Sequence, residues 1–365
     1  MRVLRIFHGG GVPAYQRRDE EISALGHEVQ LVVPKTFREL PTLTIAQERD
    51  DVIRVTPVAL YGLRRNPFFF YNPFQIASII RAFNPNVVDL HEEPYSLAAA
   101  SVLLGRLISG RKNRFVFRSS QNEFKSYPFP FSAVQRLTFK QSSEAYVPSE
   151  QARRVLQQKE FPGRVTVVGN GVTVPASALP VPCSSNTLEV VCVGRLIERK
   201  GVQDLVEAVV GSEMDMNLTI VGSGPMEDQL RDIAQQSNAC GNKVTFTGAL
   251  SIDQAAEIMR RSDVICVPSR ELDGWSEQFS RALVEGMANY CVPVVSSSGA
   301  LPEIAGDIVD NFRWGDVEDL RARLEELVDA PNIENLKLLA HKHAARNYSW
   351  QATSGQISAI YERVV

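Results

Sequence analysis

Cysteine is scarce and scattered in this 365-residue chain: Cys183, Cys192, Cys240, Cys266 and Cys291 form no C-x-x-C pair. An odd number of widely spaced thiols excludes a disulfide framework and a cysteine zinc site, and it predicts a reduced, cytoplasmic protein. No apolar run approaches the roughly 18 residues that a membrane-spanning helix needs. The opening MRVLRIFHGG is too short in its apolar part for a secretory signal and lacks a cleavage-like site. No D-x-D motif and no His/Cys ligand cluster occurs, so the usual carboxylate pair for a nucleotide-bound Mg²⁺ or Mn²⁺ is missing and no metal is expected. Net charge is only −3, and no nucleic-acid partner is expected. The halves nevertheless differ, with 23 Lys+Arg against 15 Asp+Glu up to residue 178, and 16 against 27 beyond it. The basic half fits a surface facing an anionic partner, and equally an ordinary arginine-rich surface.

What is present is material for two cores. The chain is 44% hydrophobic and 22% charged, and its length suggests two domains. Short apolar runs at 3–7, 28–33, 52–58, 87–90, 115–120, 144–149 and 165–170 read as strands, with 3.6-period segments such as 74–83 and 96–108 between them. PASALPVPCSSNT (175–187) has no periodicity and reads as a linker. Strands then restart at 188–194, 217–222, 243–248, 263–269 and 292–298, with helical segments at 201–211, 226–237, 252–262 and 280–289. Strands alternating with helices predict two parallel sheets in tandem, an α/β protein of two Rossmann-like domains.

Candidate binding residues cluster in the second half. VGRLIERKG (193–201) runs from a strand end at Gly194 through Arg195, Arg199 and Lys200 into a helix. Cations at the C-terminal edge of a parallel strand suit a diphosphate, and the alternative is a solvated basic turn. VGSGP places Gly222 and Gly224 around a tight turn. Glu227 stands where the third glycine of a dinucleotide fingerprint belongs, and Asn242 where its acid belongs, so a nicotinamide site is not supported. In WSEQFSRALVEGMANYCVPVV, Glu277 precedes a helix starting near Ser280, and Glu285 lies in its first two turns. Glu285, among Leu283, Val284 and Met287, is expected to point into a packed, polar-lined cleft. Buried carboxylates need partners, and the vicinal hydroxyls of a ribose or hexose fit; the alternative is a capping glutamate plus an exposed helical one.

The order GRLIERKG, VGSGP, FTGAL, CVPS, E-x7-E and VPVVSSSGALPE resembles the family 4 glycosyltransferases of GT-B fold, the retaining nucleotide-sugar enzymes. HGGGVPAYQRRDEEISALGHEVQLVVP resembles that family's first βαβ unit, VVGNGV its NGV signature, and YSWQATSGQISAIYERVV its closing helix. The tract around EQFSR resembles a subgroup with EQFGR. The resemblance implies an acceptor domain at 1–175, a donor domain at 188–345, the two sheets facing each other across a cleft, and a helix at 346–365 crossing back to the first domain. It also implies that Arg195 and Lys200 hold the donor diphosphate. Glu277, with the backbone of Gln278, Phe279 and Ser280, would hold the transferred sugar, and Glu285 the ribose. Gly194, Gly222, Gly224, Gly248, Gly10 and Gly11 would line the donor site.

The implied activity is transfer of a sugar, UDP-linked first and GDP-linked second, to a hydroxyl of a glycan, lipid-linked or small-molecule acceptor in cell-envelope polysaccharide or glycoconjugate synthesis. No cofactor is implied. A GT-B epimerase and a non-catalytic nucleotide-sugar binder stand as alternatives. Ser280 and Cys291 occupy positions where the family has glycine. The histidine that many members carry after the strand FVFRSS is replaced by Ser119, Ser120, Gln121 and Asn122. On the acceptor side His91, Glu92, Gln121 and Asn122 are the substitutes, with His91 read equally as a structural strand-end residue. LRRNPFFFYNPF (63–74) and RLISGRKNRF (106–115) read either as a peripheral contact with an anionic membrane on its inner face or, for the aromatics, as core.

Overall fold

The computed structural model describes all residues except 40–41, 64–66, 176–186 and 237–241. The inferred linker lies almost wholly outside the described residues, as do Cys183, Cys240, Arg64 and Arg65. The chain divides into two compact units, Met1–Gly171 with Trp350–Val365, and Val172–Ser349.

In the first unit the strands are β1 (Arg2–Ile6), β2 (Glu28–Pro34), β3 (Thr36–Glu39), β4 (Thr42–Ile45), β5 (Arg49–Asp50) and β6 (Arg54–Val58). They continue with β7 (Leu60–Gly62), β8 (Phe69–Tyr71), β9 (Val87–Leu90), β10 (Arg114–Arg118), β11 (Glu144–Val147) and β12 (Arg164–Val167). Its helices are α1 (Pro13–Ala24), α2 (Pro73–Phe83), α3 (Leu97–Ser109), α4 (Phe131–Gln141) and α5 (Glu150–Gln158). The sheet order is β12-β11-β10-β9-β1-β2-β6-β5, parallel throughout except for the antiparallel edge pair β5–β6. The pairs β3–β4 and β7–β8 form separate antiparallel hairpins.

The second unit holds β13 (Leu188–Val193), β14 (Met216–Val221), β15 (Val244–Gly248), β16 (Val264–Val267) and β17 (Val292–Val295). Around them lie α6 (Val202–Val210), α7 (Glu227–Gln236), α8 (Ile252–Arg260), α9 (Arg281–Ala288), α10 (Leu301–Ala305), α11 (Val317–Val328) and α12 (Ile333–Tyr348). The sheet order is β15-β14-β13-β16-β17, all parallel. The last helix, α13 (Trp350–Val364), packs with the first unit.

Central strands of a sheet covered on both faces read as unbroken apolar runs. Accordingly every residue of VICV in β16 is buried, and so is every residue of VPVV in the edge strand β17. Alternation sorts β13 between two cores: Leu188, Val190 and Cys192 join Leu205, Val209 and Leu324, whereas Val191 joins Leu283, Met287 and Ala344. Local chemistry sets the helix ends. The Asn72 side chain accepts from Phe74 N at 2.9 Å, with Pro73 in the first turn of α2, and Ser251 and Gln254 form a capping box on α8. Of the aromatic tract 63–74, Phe69 and Tyr71 are core, whereas Phe70 and Phe74 are exposed. Cys192, Cys266 and Cys291 are buried free thiols, and burial pushes Cys192 up to about 12, far from reactive thiolate character. Among the described residues no helix is long and apolar enough to cross a membrane.

Both sheets reverse strand order beside their first strand, between β1 and β9 and between β13 and β16. Connections leave in opposite directions there, which opens a crevice at the carboxyl ends of the strands. The loops after β1, β9, β13 and β16 are therefore the places to look for chemistry.

Candidate functional site

In the second unit the loop after β13 becomes a short 3₁₀ turn, Glu198–Lys200. Lys200 Nζ lies 2.5 Å from Glu277 Oε2, and Ser269 Oγ, just beyond β16, donates to the same oxygen at 2.9 Å. Glu277 is 5% exposed, so these two partners, rather than water, satisfy its buried oxygens. Its backbone is fixed as well: the carbonyl accepts from Ala300 N at 2.9 Å, and the amide donates to Ser298 Oγ at 3.4 Å. Gly299 lies under that carbonyl at φ 55°, where a Cβ would stand 2.2 Å from Glu277 O, so no larger residue fits. The Trp275 ring faces the Arg199 guanidinium at 4.6 Å and the Lys200 ammonium at 5.4 Å.

The other donor-side residues surround this pair. Arg195 is exposed and has no ion pair among the described residues. Gly222, at φ 145°, lets the loops after β13 and β14 touch backbone to backbone, since a Cβ there would stand 1.8 Å from Gly194 O. Gly224 follows in the turn toward α7, and Gly248 closes β15. Ser280, where glycine was expected, caps α9 by accepting from Leu283 N at 3.2 Å. Gln278 is exposed, and Phe279 packs edge-on to Tyr348. The buried stripe of α9 is Leu283, Val284, Met287 and Ala288. Glu285 falls beside it, a quarter exposed, and accepts from Arg281 at 2.8 Å.

In the first unit the loop after β1 makes a buried turn through Gly9, Gly10 and Gly11, and Gln16 donates to Gly10 O at 2.9 Å. Glu92 holds that loop: it accepts from His8 N at 2.8 Å and Tyr71 Oη at 2.9 Å, and its second oxygen meets His8 Nδ1 at 2.7 Å. Glu93 accepts from Ser119 Oγ at 2.9 Å and Ser120 N at 2.8 Å, and burial raises its pKa. Gln121 donates to Tyr127 and accepts from Lys159 Nζ at 2.8 Å, while Asn122 is buried. His91 is ringed by guanidiniums: Arg5 at 2.9 Å and Arg18 at 3.0 Å on Nδ1, and Arg118 at 2.8 Å on Nε2. Burial, together with Arg118, Arg5 and Arg18, holds its imidazole well below the ordinary value, so it is neutral.

The structure thus joins Lys200 to Glu277 and gathers His91, Glu92 and Glu93 at the other sheet's reversal point. Ser269, Ser298 and Trp275 on one side, and Arg5, Arg18 and Arg118 on the other, escaped the sequence reading. For Arg5 and Arg118 the signal was a charged residue in a strand that is otherwise apolar, as in VLRIF and FVFRSS; Arg18 on α1 and the uncharged Ser269, Trp275 and Ser298 carried none.

A model described as glycosyl transferases group 1 matches residues 182–344, and one described as glycosyltransferase family 4 matches residues 20–174. The chain is 31% identical over 176 residues to the MMP alpha-(1->4)-mannosyltransferase of Mycolicibacterium hassiacum, covering 46% of this chain and 40% of that protein. It is 28% identical over 189 residues to the GDP-mannose-dependent monoacylated alpha-(1-6)-phosphatidylinositol monomannoside mannosyltransferase of Corynebacterium glutamicum, covering 49% and 48%. The chain therefore spans about half the length of the curated relatives it matches. Among solved structures, the sucrose-phosphate synthase of Thermosynechococcus elongatus superposes with a TM-score of 0.71 at 17% identity, over 100% of this chain and 98% of that one. Anabaena HepE in complex with UDP superposes with a TM-score of 0.70 at 16% identity over 100% of both chains.

Proposed function

The chain belongs to the family 4 glycosyltransferases of group 1, and from that premise we propose that it moves a hexosyl group from a nucleotide sugar to an acceptor hydroxyl, retaining the anomeric configuration and using no metal. The observation that carries the reading is the Lys200–Glu277–Ser269 cluster at the reversal point of the second sheet. Lys200, with exposed Arg195, neutralises the diphosphate as it leaves, the role a metal would otherwise take. Glu277 and the backbone of Gln278, Phe279 and Ser280 hold the transferred sugar, while Glu285 takes the ribose hydroxyls in exchange for Arg281. Because Glu277 is already bound by a lysine and a serine, it orients the sugar and is not cast as a free nucleophile. Cytoplasmic residence and a cell-envelope glycoconjugate product complete the proposal.

Two donors enter the test. The Corynebacterium relative is named for GDP-mannose, and the Anabaena structure holds UDP. A thermal-shift panel of UDP, GDP, ADP and dTDP selects the base, since a ligand at 100 times its Kd stabilises by about 2.7 kcal/mol. Incubation with the matching nucleotide sugars should give slow hydrolysis without acceptor, undiminished by EDTA. Lys200→Ala should lower kcat roughly 100-fold or more with the fold intact. Donor epimerisation, binding without turnover, or a variant with wild-type kcat would each overturn the assignment.

A further inference from the structure

The cations around His91 are not equally compensated. Arg5 pairs with Asp19 at 2.5 Å, and Arg18 with Asp89 at 3.0 Å, where the Tyr146 and Tyr361 hydroxyls also donate to Asp89. Arg118, half-buried at the end of β10, has no carboxylate within ion-pair distance among the described residues. Glu93, on the loop of His91, has both oxygens engaged by Ser119 and Ser120, and Glu92 is engaged by His8 and Tyr71. Arg118 keeps one clear acceptor, Asn170 Oδ1 at 2.6 Å, and its buried Nε has none.

The imidazole sharpens the imbalance. A neutral histidine has one acceptor nitrogen and one N–H. Two guanidiniums converge on Nδ1, so Nδ1 is the acceptor and the proton sits on Nε2. There it faces Arg118 Nη1 at 2.8 Å, donor against donor. Burial also pushes the Arg118 guanidinium down to about 10, as expected for a cation with too little negative charge around it. One oxyanion beside Arg118 would accept from both groups and resolve both deficits.

We propose that the Arg118 guanidinium and the His91 Nε2–H, with Asn170 Oδ1 holding that guanidinium in place, form an oxyanion subsite for the acceptor, so that this enzyme glycosylates an anionic acceptor, phosphorylated or carboxylated, rather than a neutral one. Arg118 is a specificity-determining residue in this scheme. The inference rests on the transferase reading, and it adds the chemical class of the acceptor.

The test uses the full chain, titrated at constant ionic strength with inorganic phosphate, acetate or glucose, while the imidazole NMR signals are followed and His91 is assigned through His91→Gln. Phosphate or acetate should shift the His91 signal saturably and raise its pKa, because an anion favours the imidazolium against Arg5, Arg18 and Arg118. Glucose should do neither. Tighter saturation by phosphate assigns a phosphorylated acceptor, and tighter saturation by acetate a carboxylated one; both support the subsite. Arg118→Gln should weaken the response roughly tenfold or more, the scale of a lost charged hydrogen bond. Lys200→Ala should leave it unchanged. If Arg118→Gln does not fold, Arg118→Lys should keep a saturable response and Asn170→Ala should weaken it. No saturable shift at His91, or one that Arg118→Gln or Asn170→Ala leaves intact, overturns the subsite. Nucleoside diphosphate binding in the same sample separates the two readings. Its presence without an anion response removes only the subsite, and its absence with every base removes the transferase.

Discussion

Glu277 and Glu285 both stand near the start of α9, yet their surroundings predict different failures. Glu277 is buried against Lys200 and Ser269, so Glu277→Gln should act mainly on kcat, with nucleoside diphosphate affinity little changed. Glu285 is partly exposed and pairs with Arg281, and in the proposed scheme a ribose hydroxyl takes that partner's place. Glu285→Gln should therefore weaken the diphosphate itself, by about 1–3 kcal/mol for a lost charged hydrogen bond. Calorimetry on the free diphosphate and steady-state kinetics separate these effects, and equal affinity losses would refute the division of roles. A second residue-scale prediction concerns Lys159, whose ammonium is pushed down to about 8 by burial, beside Gln121 and over the Tyr127 ring at 4.6 Å. The folded chain then binds fewer protons than the unfolded chain between pH about 8 and the ordinary lysine value near 10.4, so this group's contribution to stability rises with pH across that window. Amine-reactive labelling at pH 8 should modify Lys159 ahead of the surface lysines, and labelling at the common rate would contradict the shift.

At the scale of elements, the termini of helices are set locally but their docking is set by buried charge. Lys337 on α12 is almost fully buried, with Nζ 2.6 Å from Asp263 at the foot of β16 and 3.0 Å from Glu334. Asp263 in turn accepts from Glu189 N at 2.9 Å, tying α12 to two strands. Lys337→Ala leaves a buried carboxylate without its cation and should cost about 3–5 kcal/mol, read as a large fall in Tm. Nucleotide affinity measured below the new Tm should be unchanged, because the pair lies away from the Lys200–Glu277 end of the sheet. Much of the element map was legible beforehand: parallel strands buried on both faces, glycine turns after them, and capping residues. The partners of α13 were less so. His27 of the GHEV stretch meets Ser358 at 2.7 Å, and Tyr361 donates to Asp89 at 2.6 Å, contacts that no local pattern announces.

For the whole molecule, the basic half of the chain makes up nearly all of the first unit. Exposed Tyr61, Leu63, Phe70, Phe74, Leu104, Leu107 and Phe129 sit on β7–β8, α2, α3 and the loop before α4, close to basic Arg111, Lys112, Lys125, Arg136 and Lys140 in the chain. Apolar side chains with basic neighbours on the first unit suit peripheral contact with an anionic bilayer. Co-sedimentation with anionic vesicles should be strongest at low salt and fall as rising ionic strength shortens the Debye length, to about 8 Å at roughly 0.15 M. No association even at low salt would leave a freely diffusing acceptor as the simpler case.

The sequence by itself determined the two parallel sheets, the alternation of their elements, and the loops that carry Lys200, Glu277 and His91. Side-chain period, turn chemistry and capping act over a few residues and can be read in order along the chain. Only the tertiary structure decided which charges meet. Lys200 and Glu277 are 77 residues apart, Arg118 and His91 are 27 apart, and Tyr361 and Asp89 are 272 apart. Parallel sheets join their strands through crossovers, so the carboxyl ends of strands distant in sequence converge at one edge. A buried charge must be met by whatever that convergence supplies, and at Arg118 it supplied too little.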